Sequence, residues 1–295
     1  MPNSNTYNQQ APGAPQTFPP QHQNAQPGSQ TNMNPRPVVD NPQYKGAAKM
    51  AGRAAVITGG DSGIGQAVAV AFAKEGADVA VLYLNETQDA KETQQMVEGL
   101  GRHCLLVPCD LKSEQAAFDA VDKVMRAFGR VDVLVNNAAV QYPQNSIEDI
   151  TTEQLGVTFN TNVMSYFFMA KACLKHMKPG SQIINTTSVT AYAGNKTLID
   201  YSATKGAISS FTKSLSLSLA QRGIRVNAVA PGPVWTPLIP SSFSPEEVAQ
   251  FGKDTPLGRA AQPFELAPTY VYLACDDSAY VTGQVLHVNG GKIYS

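Results

Sequence analysis

The sequence predicts a three-layer, doubly wound α/β fold with a mostly parallel seven-stranded sheet. Three observations carry the prediction. Short runs rich in Val, Ile, Leu and Ala alternate with longer stretches whose apolar residues recur at helical spacing. A run that is apolar at nearly every position reads as a strand buried on both faces, and such a strand needs helices above and below it. A glycine-rich turn lies between the first run and the first helical stretch, and 295 residues at 43% hydrophobic can bury one sizeable core.

In chain order, residues 1–44 stand apart. They hold nine of the 20 prolines, many Gln and Asn, and Arg36 and Asp40 as their only charges. So little apolar surface offsets ordering entropy poorly, which predicts a disordered leader; the alternative is an extended arm anchored by Tyr7, Phe18 and Tyr44. Residues 45–295 read as one domain. Within it, residues 53–58 (RAAVIT) form a first strand, the turn 59–65 follows, and a helix runs from Val68 through Phe72 to Gly76. Strands at 78–83, 104–108, 131–135, 182–187, 225–229 and 284–288 alternate with helices at 87–100, 113–128, 153–176, 198–222 and 263–274. Ser113 is placed to cap its helix, and the 153–176 segment divides into two helices. Residues 234–262 are a Pro-rich insertion with a short helix near 245–251, placed to lid a pocket.

Composition excludes several classes. The net charge of −1 without a basic run argues against nucleic acid, and no apolar stretch is long enough for a membrane helix. The start of the chain has no basic-then-apolar signal, and Cys104, Cys109, Cys173 and Cys275 form no Cys-x-x-Cys pair, so free thiols in a cytoplasmic protein are expected. The dispersed histidines give no metal site.

The chemistry-bearing residues follow the strands. Thr58-Gly-Gly-Asp-Ser-Gly-Ile-Gly65 sits between a strand and a helix, where backbone N–H groups and the helix N-terminus favour a pyrophosphate. Asp110 ends the third strand, either to accept from an adenine amino group or to cap a helix. Asn136, Asn137, Ala138 and Ala139 end the fourth. Asn162 stands inside a helix, to cap a kink or to hold a water. Pro231-Gly-Pro-Val-Trp-Thr236 follows the sixth strand. Tyr201 and Lys205, at i and i+4, lie on one helix face, where a lysine can lower a phenol's pKa and make it an acid/base at a carbonyl or alcohol oxygen; Ser188 can reach the same oxygen from the preceding strand.

Together these motifs resemble the short-chain dehydrogenase/reductase family, over the chain from about Lys49 onward, and the Gly-Gly-Asp-Ser-Gly turn with the polar leader resembles a bacterial general-stress oxidoreductase and aldehyde reductase subgroup. The resemblance implies a Rossmann-type domain and an NAD(P)-dependent oxidoreductase acting on a small aldehyde, ketone or alcohol. It implies Asn162, Ser188, Tyr201 and Lys205 as the catalytic set. Cofactor contacts would come from Gly59, Asp61, Ser62, Gly63, Ile64, Gly65, Tyr83, Asn85, Asp110, Leu111, Asn137, Ala138, Ala139, Tyr201, Lys205, Pro231, Gly232, Val234 and Thr236. Ser188, Tyr201, Tyr192 and Trp235 would meet the substrate. A homotetramer is implied as well. Tyr83, Leu84 and Asn85 offer no carboxylate to repel a 2′-phosphate and no base to bind one, which leans to NADP with NAD open. A non-catalytic dinucleotide-binding sensor is the competing reading. Deletion of residues 1–40 is expected to leave the fold and cofactor site intact.

Overall fold

The computed structural model describes residues 17–292; Tyr7 and the rest of 1–16, with 293–295, lie outside the described residues. Each apolar run is a strand: β1 Ala54–Thr58, β2 Asp78–Tyr83, β3 Cys104–Pro108, β4 Val133–Asn136, β5 Gln182–Thr186, β6 Arg225–Pro231 and β7 Val285–Val288. All pair in parallel in the order β3-β2-β1-β4-β5-β6-β7. The order reverses between β1 and β4, and the crevice beyond the carboxyl ends of those two strands is where such sheets take a ligand.

Helices fill both faces: α1 Gly63–Lys74, α2 Thr87–Gly99, α3 Glu114–Phe128, α4 Thr152–Phe159, α5 Ser165–Leu174, α6 Thr190–Ala193, α7 Ile199–Leu219, α8 Pro245–Gln250 and α9 Ala267–Ala274. Strand residues alternate between two cores. Ala55, Ile57, Val79 and Val81 pack under α1, α2 and α9. Val56, Ala80 and Leu82 pack under α3, α5 and the end of α7. Local chemistry sets the helix ends. Ser113 accepts from the Ala116 N–H at the start of α3, and Gly129 ends it in the left-handed conformation, φ 70°. Ser244 and Glu247 close a capping box on α8, with Pro245 in its first turn.

The 153–176 segment divides as expected, but not at a loop. A π-helical turn, Asn160–Met164, joins α4 to α5 without a break. Inserted turns of this kind gather at functional sites, and this one contains Asn162. The short α6 was not foreseen, since four residues carry no readable periodicity.

Residues 17–48 have no regular secondary structure, yet they are packed. Phe18 stacks on Trp235 with ring centroids 3.7 Å apart and planes 8° from parallel. Phe18 and Met33 share a buried cluster with Trp235, Ile239, Val248 and Ala260 of the 234–262 segment. The Val38 N–H donates to Gln262 Oε1 (2.8 Å), and the Phe264 N–H donates to the Val38 carbonyl (3.2 Å). Lys74 pairs with Asp40, and Tyr44 bonds Glu75. Two apolar side chains suffice because they complete a surface the lid already offers, and a proline-rich chain loses less entropy on docking.

One sequence expectation is corrected here. Trp235 does not face a substrate pocket: it is fully buried under Phe18, and its indole N–H donates to the Pro35 carbonyl (2.9 Å). The expectation that residues 1–40 can be deleted without consequence runs against this packing, since Phe18 and Met33 cover Trp235, Ile239 and Val248. Trp235 is the single tryptophan, so it reports on the arm. Phe18→Ala should weaken arm docking by about 3 kcal/mol and shift Trp235 emission to the red, read by denaturant titration and fluorescence. An unshifted emission maximum would show that the arm does not shield the indole.

Candidate functional site

A cavity of about 800 Å³ opens at the carboxyl ends of the strands. The glycine-rich turn, the ends of β2 to β6, the start of α7 and the lid form its walls. That volume suits a dinucleotide with a small substrate beside it.

At its centre, Ser188, Tyr201 and Lys205 converge. Ser188 follows β5, and its Oγ accepts from the N–H and hydroxyl of Thr190 (both 3.1 Å), the first residue of α6. The Ser188 side chain lies near Tyr201 and favours its ionised form. Lys205 lies one turn beyond Tyr201 on α7, only 1% exposed. Its Nζ donates to the Thr186 carbonyl (2.9 Å) and stands 5.4 Å from the Tyr201 ring centroid. The start of α7 is held by buried Asp200, which accepts from the Tyr201 N–H (2.8 Å), Thr158 Oγ1 (2.8 Å) and Gln154 Nε2 (3.0 Å).

Burial governs both titrating groups. It pushes Tyr201 up to about 12, opposed by the Ser188 side chain, and pushes Lys205 down to about 7. The expectation that Lys205 lowers the Tyr201 pKa is not met in the protein alone: burial is the largest influence on the phenol and keeps it neutral.

Asn162 has no free side chain. Its Oδ1 accepts from the Val140 N–H (2.8 Å), and its Nδ2 donates to the Val140 carbonyl (2.8 Å) and to Thr204 Oγ1 (3.2 Å). It ties the segment after β4 to α7.

The glycine-rich turn fits a pyrophosphate cradle. Gly63 has φ +52°, and a Cβ there would stand 2.9 Å from Thr236 Cγ2. Among the described residues the Ile64 and Gly65 N–H groups find no acceptor, as expected for the first turn of α1 aimed at an anion. Asp61, Ser62, Gly59, Tyr83, Asp110, Leu111, Asn137, Ala138, Ala139, Pro231, Gly232, Val234 and Thr236 line the cavity. Asn137 Nδ2 donates to the carbonyls of Thr58 (3.2 Å) and Gly59 (3.1 Å), bracing the turn. Asp110 holds a local turn, accepting from the Lys112 N–H (3.0 Å), while Ser113 is the helix cap.

Gly65 keeps its open N–H but packs its Cα inward, where a Cβ would fall 2.0 Å from the Gly59 carbonyl oxygen. Three expected contacts lie elsewhere. Asn85 is exposed in the turn before α2 and does not line the cavity. Tyr192 turns edge-on to His287, 4.6 Å between centroids, and Trp235 belongs to the arm and lid core. In their place the cavity has Gln141, Tyr142, Leu238, Phe243 and, from the arm, Gln26, Pro27 and Gly28. The arm residues gave no sequence signal, because a Gln, Pro and Gly tract reads the same docked or free. Asp61, expected as a cofactor contact, is 6% exposed, and burial raises its carboxyl to about 6.

Comparison with known proteins agrees with this geometry. Residues 59–292 match a family model described as enoyl-(acyl carrier protein) reductase. The chain is similar to an uncharacterized oxidoreductase, YhxC, of Bacillus subtilis (strain 168), at 61% identity over 277 residues, 94% of this chain and 96% of the relative. It is similar to an NADPH-dependent aldehyde reductase 1, chloroplastic, of Arabidopsis thaliana, at 52% identity over 280 residues, 92% of this chain and 97% of the relative. A solved short chain dehydrogenase from Burkholderia cenocepacia J2315 in complex with NADP matches with a TM-score of 0.77 at 30% identity, over 82% of this chain and 98% of that one.

The burial of Lys205 generates a signed prediction. Between about pH 7 and the free value of 10.5, the unfolded chain holds a proton that the folded chain lacks, so this residue makes stability rise with pH across that window. Lys205→Met removes the dependence. Its stability relative to wild type should be greatest near pH 6 and fall toward pH 10, measured by denaturant titration across pH. A constant difference would mean that Lys205 titrates normally.

Proposed function

The chain belongs to the short-chain dehydrogenase/reductase family and is an oxidoreductase; on that premise we propose that it reduces a small aldehyde or ketone with a nicotinamide dinucleotide, and oxidises the matching alcohol in reverse. The observation that carries this is the convergence of Ser188, Tyr201 and Lys205 beside a glycine-lined cavity large enough for both ligands.

When bound, the nicotinamide would supply the hydride to the carbonyl carbon, or take it back from the alcohol. The chain supplies position and the proton. Ser188 bonds the carbonyl oxygen and holds it near the Tyr201 hydroxyl. Tyr201, resting protonated, gives its proton to that oxygen as it becomes an alkoxide. Lys205 stands one helical turn away with two of its three N–H bonds free for ribose hydroxyls, and its positive charge, once held there, stabilises the phenolate left behind. The Asn162 backbone, at the π turn, would hold a water that returns the proton from solvent. The apolar Leu238 and Phe243 with Gln141 and Tyr142 suit a small substrate of mixed polarity.

NADP is favoured over NAD. Tyr83 ends β2 where a carboxylate would bind a ribose 2′-hydroxyl, and a relative is named as NADPH-dependent. Asp61 favours the other choice, because a buried carboxylate in the turn repels a 2′-phosphate. A homotetramer is proposed from the exposed apolar residues of α5 and α7, with Phe167 at 41% and Leu217 at 81% exposure. A non-catalytic sensor is disfavoured, since it has no use for a tyrosine and lysine buried at this energetic cost.

Tyr201→Phe should lower kcat by about 10²- to 10⁴-fold while the dinucleotide still binds, read by steady-state kinetics and calorimetry. Turnover near wild type would remove Tyr201 from the chemistry. In the wild type, alcohol oxidation should climb with pH as Tyr201 ionises more readily, while carbonyl reduction holds nearly level; parallel profiles would contradict a high resting pKa.

A further inference from the structure

Gln30 lies in an arm that sequence composition marks as polar and unstructured, yet it is 3% exposed. Such a side chain is tolerated only if its amide is satisfied, and this one is satisfied by the glycine-rich turn. The Gly63 N–H donates to Gln30 Oε1 (2.9 Å). On the other side, Gln30 Nε2 donates to Gln66 Oε1 on α1. Gln66 Nε2 then donates to Thr93 Oγ1 on α2 (2.9 Å), and the Thr93 hydroxyl donates to the Asp61 carbonyl (2.9 Å). Gln66 and Thr93 are buried too, at 1% and 0% exposure. One amide thus grips the turn at two points, directly at Gly63 and by relay at Asp61.

The backbone of Gln30 is fixed as well. Its N–H donates to Asp89 Oδ2 (2.6 Å), and the N–H and hydroxyl of Thr31 donate to Asp89 Oδ1 (3.0 and 2.6 Å). Asp89 is buried in the first turn of α2, so the carboxylate that holds the arm is itself held. By taking the Gly63 N–H, Gln30 leaves the Ile64 and Gly65 N–H groups as the open donors of α1.

We propose that Gln30 is a positioning residue for dinucleotide binding, holding Asp61 to Gly63 in the shape that presents the first turn of α1 to the pyrophosphate. This rests on the dinucleotide reading above. A turn held in its bound shape spares the ligand the cost of ordering it, so the effect falls on affinity and leaves the rate of the bound complex alone. Gln26 belongs to the same arm but serves the opposite wall. It pairs with the backbone of Gln141, through the Gln141 N–H (3.1 Å) and the Gln141 carbonyl, beside Ser241 and Ser242 of the lid. Because Gln26 also lines the cavity, the control for a general effect of arm docking is Arg36, which lies outside the cavity and pairs with Glu92 of α2.

The test is calorimetric titration of the full chain with NADPH and with NADH, for wild type, Gln30→Met and Arg36→Met, with Trp235 emission as the monitor of arm docking. Gln30→Met should weaken the Kd of the preferred dinucleotide by about fivefold or more, the worth of a lost hydrogen bond, with emission and saturated kcat unchanged. Arg36→Met should leave that Kd at the wild-type value. If Gln30→Met fails to fold, Phe18→Ala, which loosens the arm with Gln30 intact, must weaken the Kd instead. A wild-type Kd in Gln30→Met, or equal weakening in Gln30→Met and Arg36→Met, would overturn the assignment. Binding of neither dinucleotide by the wild type would overturn the dinucleotide reading, and this role with it.

Discussion

Lys205 is a lysine almost wholly removed from water, and much of the architecture around the cleft exists to hold it there. An isolated ammonium in such a place is expensive, so the group drifts toward its neutral form. What it keeps is one bond, to the carbonyl of Thr186 at the end of β5. The next residue, Thr187, donates its hydroxyl to the Lys205 carbonyl (2.7 Å), so strand end and helix grip each other in both directions. Asp200 fixes the start of α7 to α4, and Asn162 fixes α7 to the segment after β4. Each contact limits the freedom of Tyr201. The sheet itself contributes by ending β1, β4 and β5 side by side, so that turn, amides and Tyr201 line one space.

The second dependence runs through the arm. The lid has too few apolar side chains to make a core alone, and Phe18 and Met33 complete it. The same arm sends Gln30 to the glycine-rich turn and Gln26 to the wall beyond β4. Gly28 is what lets the arm lie so close, since a Cβ there would stand 2.6 Å from the Pro237 carbonyl oxygen. Lid, turn and arm are therefore joined by direct contacts.

The sheet was legible in the sequence because its signal is local. Runs such as DVAVLY and VDVLV are apolar at all but one position, and both contribute parallel strands whose apolar residues are buried. The motifs were legible because they sit at strand ends, where the topology fixes what they can face. What escaped was long-range. Trp235 was read as a pocket residue because nothing in its neighbourhood announces that Phe18, far away in sequence, will cover it. Tyr192 and Asn85 failed for a related reason: they flank real motifs, but α6 and the turn before α2 point them elsewhere. The expectation of a lowered tyrosine pKa followed from spacing alone, and spacing says nothing about desolvation, which decides the sign here.

These parts converge on one claim, that the cleft binds a nicotinamide dinucleotide and presents a protonated Tyr201 to a carbonyl. The most direct measurement is turnover of a short aldehyde by the wild-type chain with a dinucleotide carrying deuterium at the transferred position, followed by mass analysis of the alcohol. The account predicts alcohol with one deuterium on the former carbonyl carbon and a solvent-derived proton on its oxygen. Binding without any alcohol from a panel of aldehydes and ketones, or alcohol with no deuterium on that carbon, would contradict it.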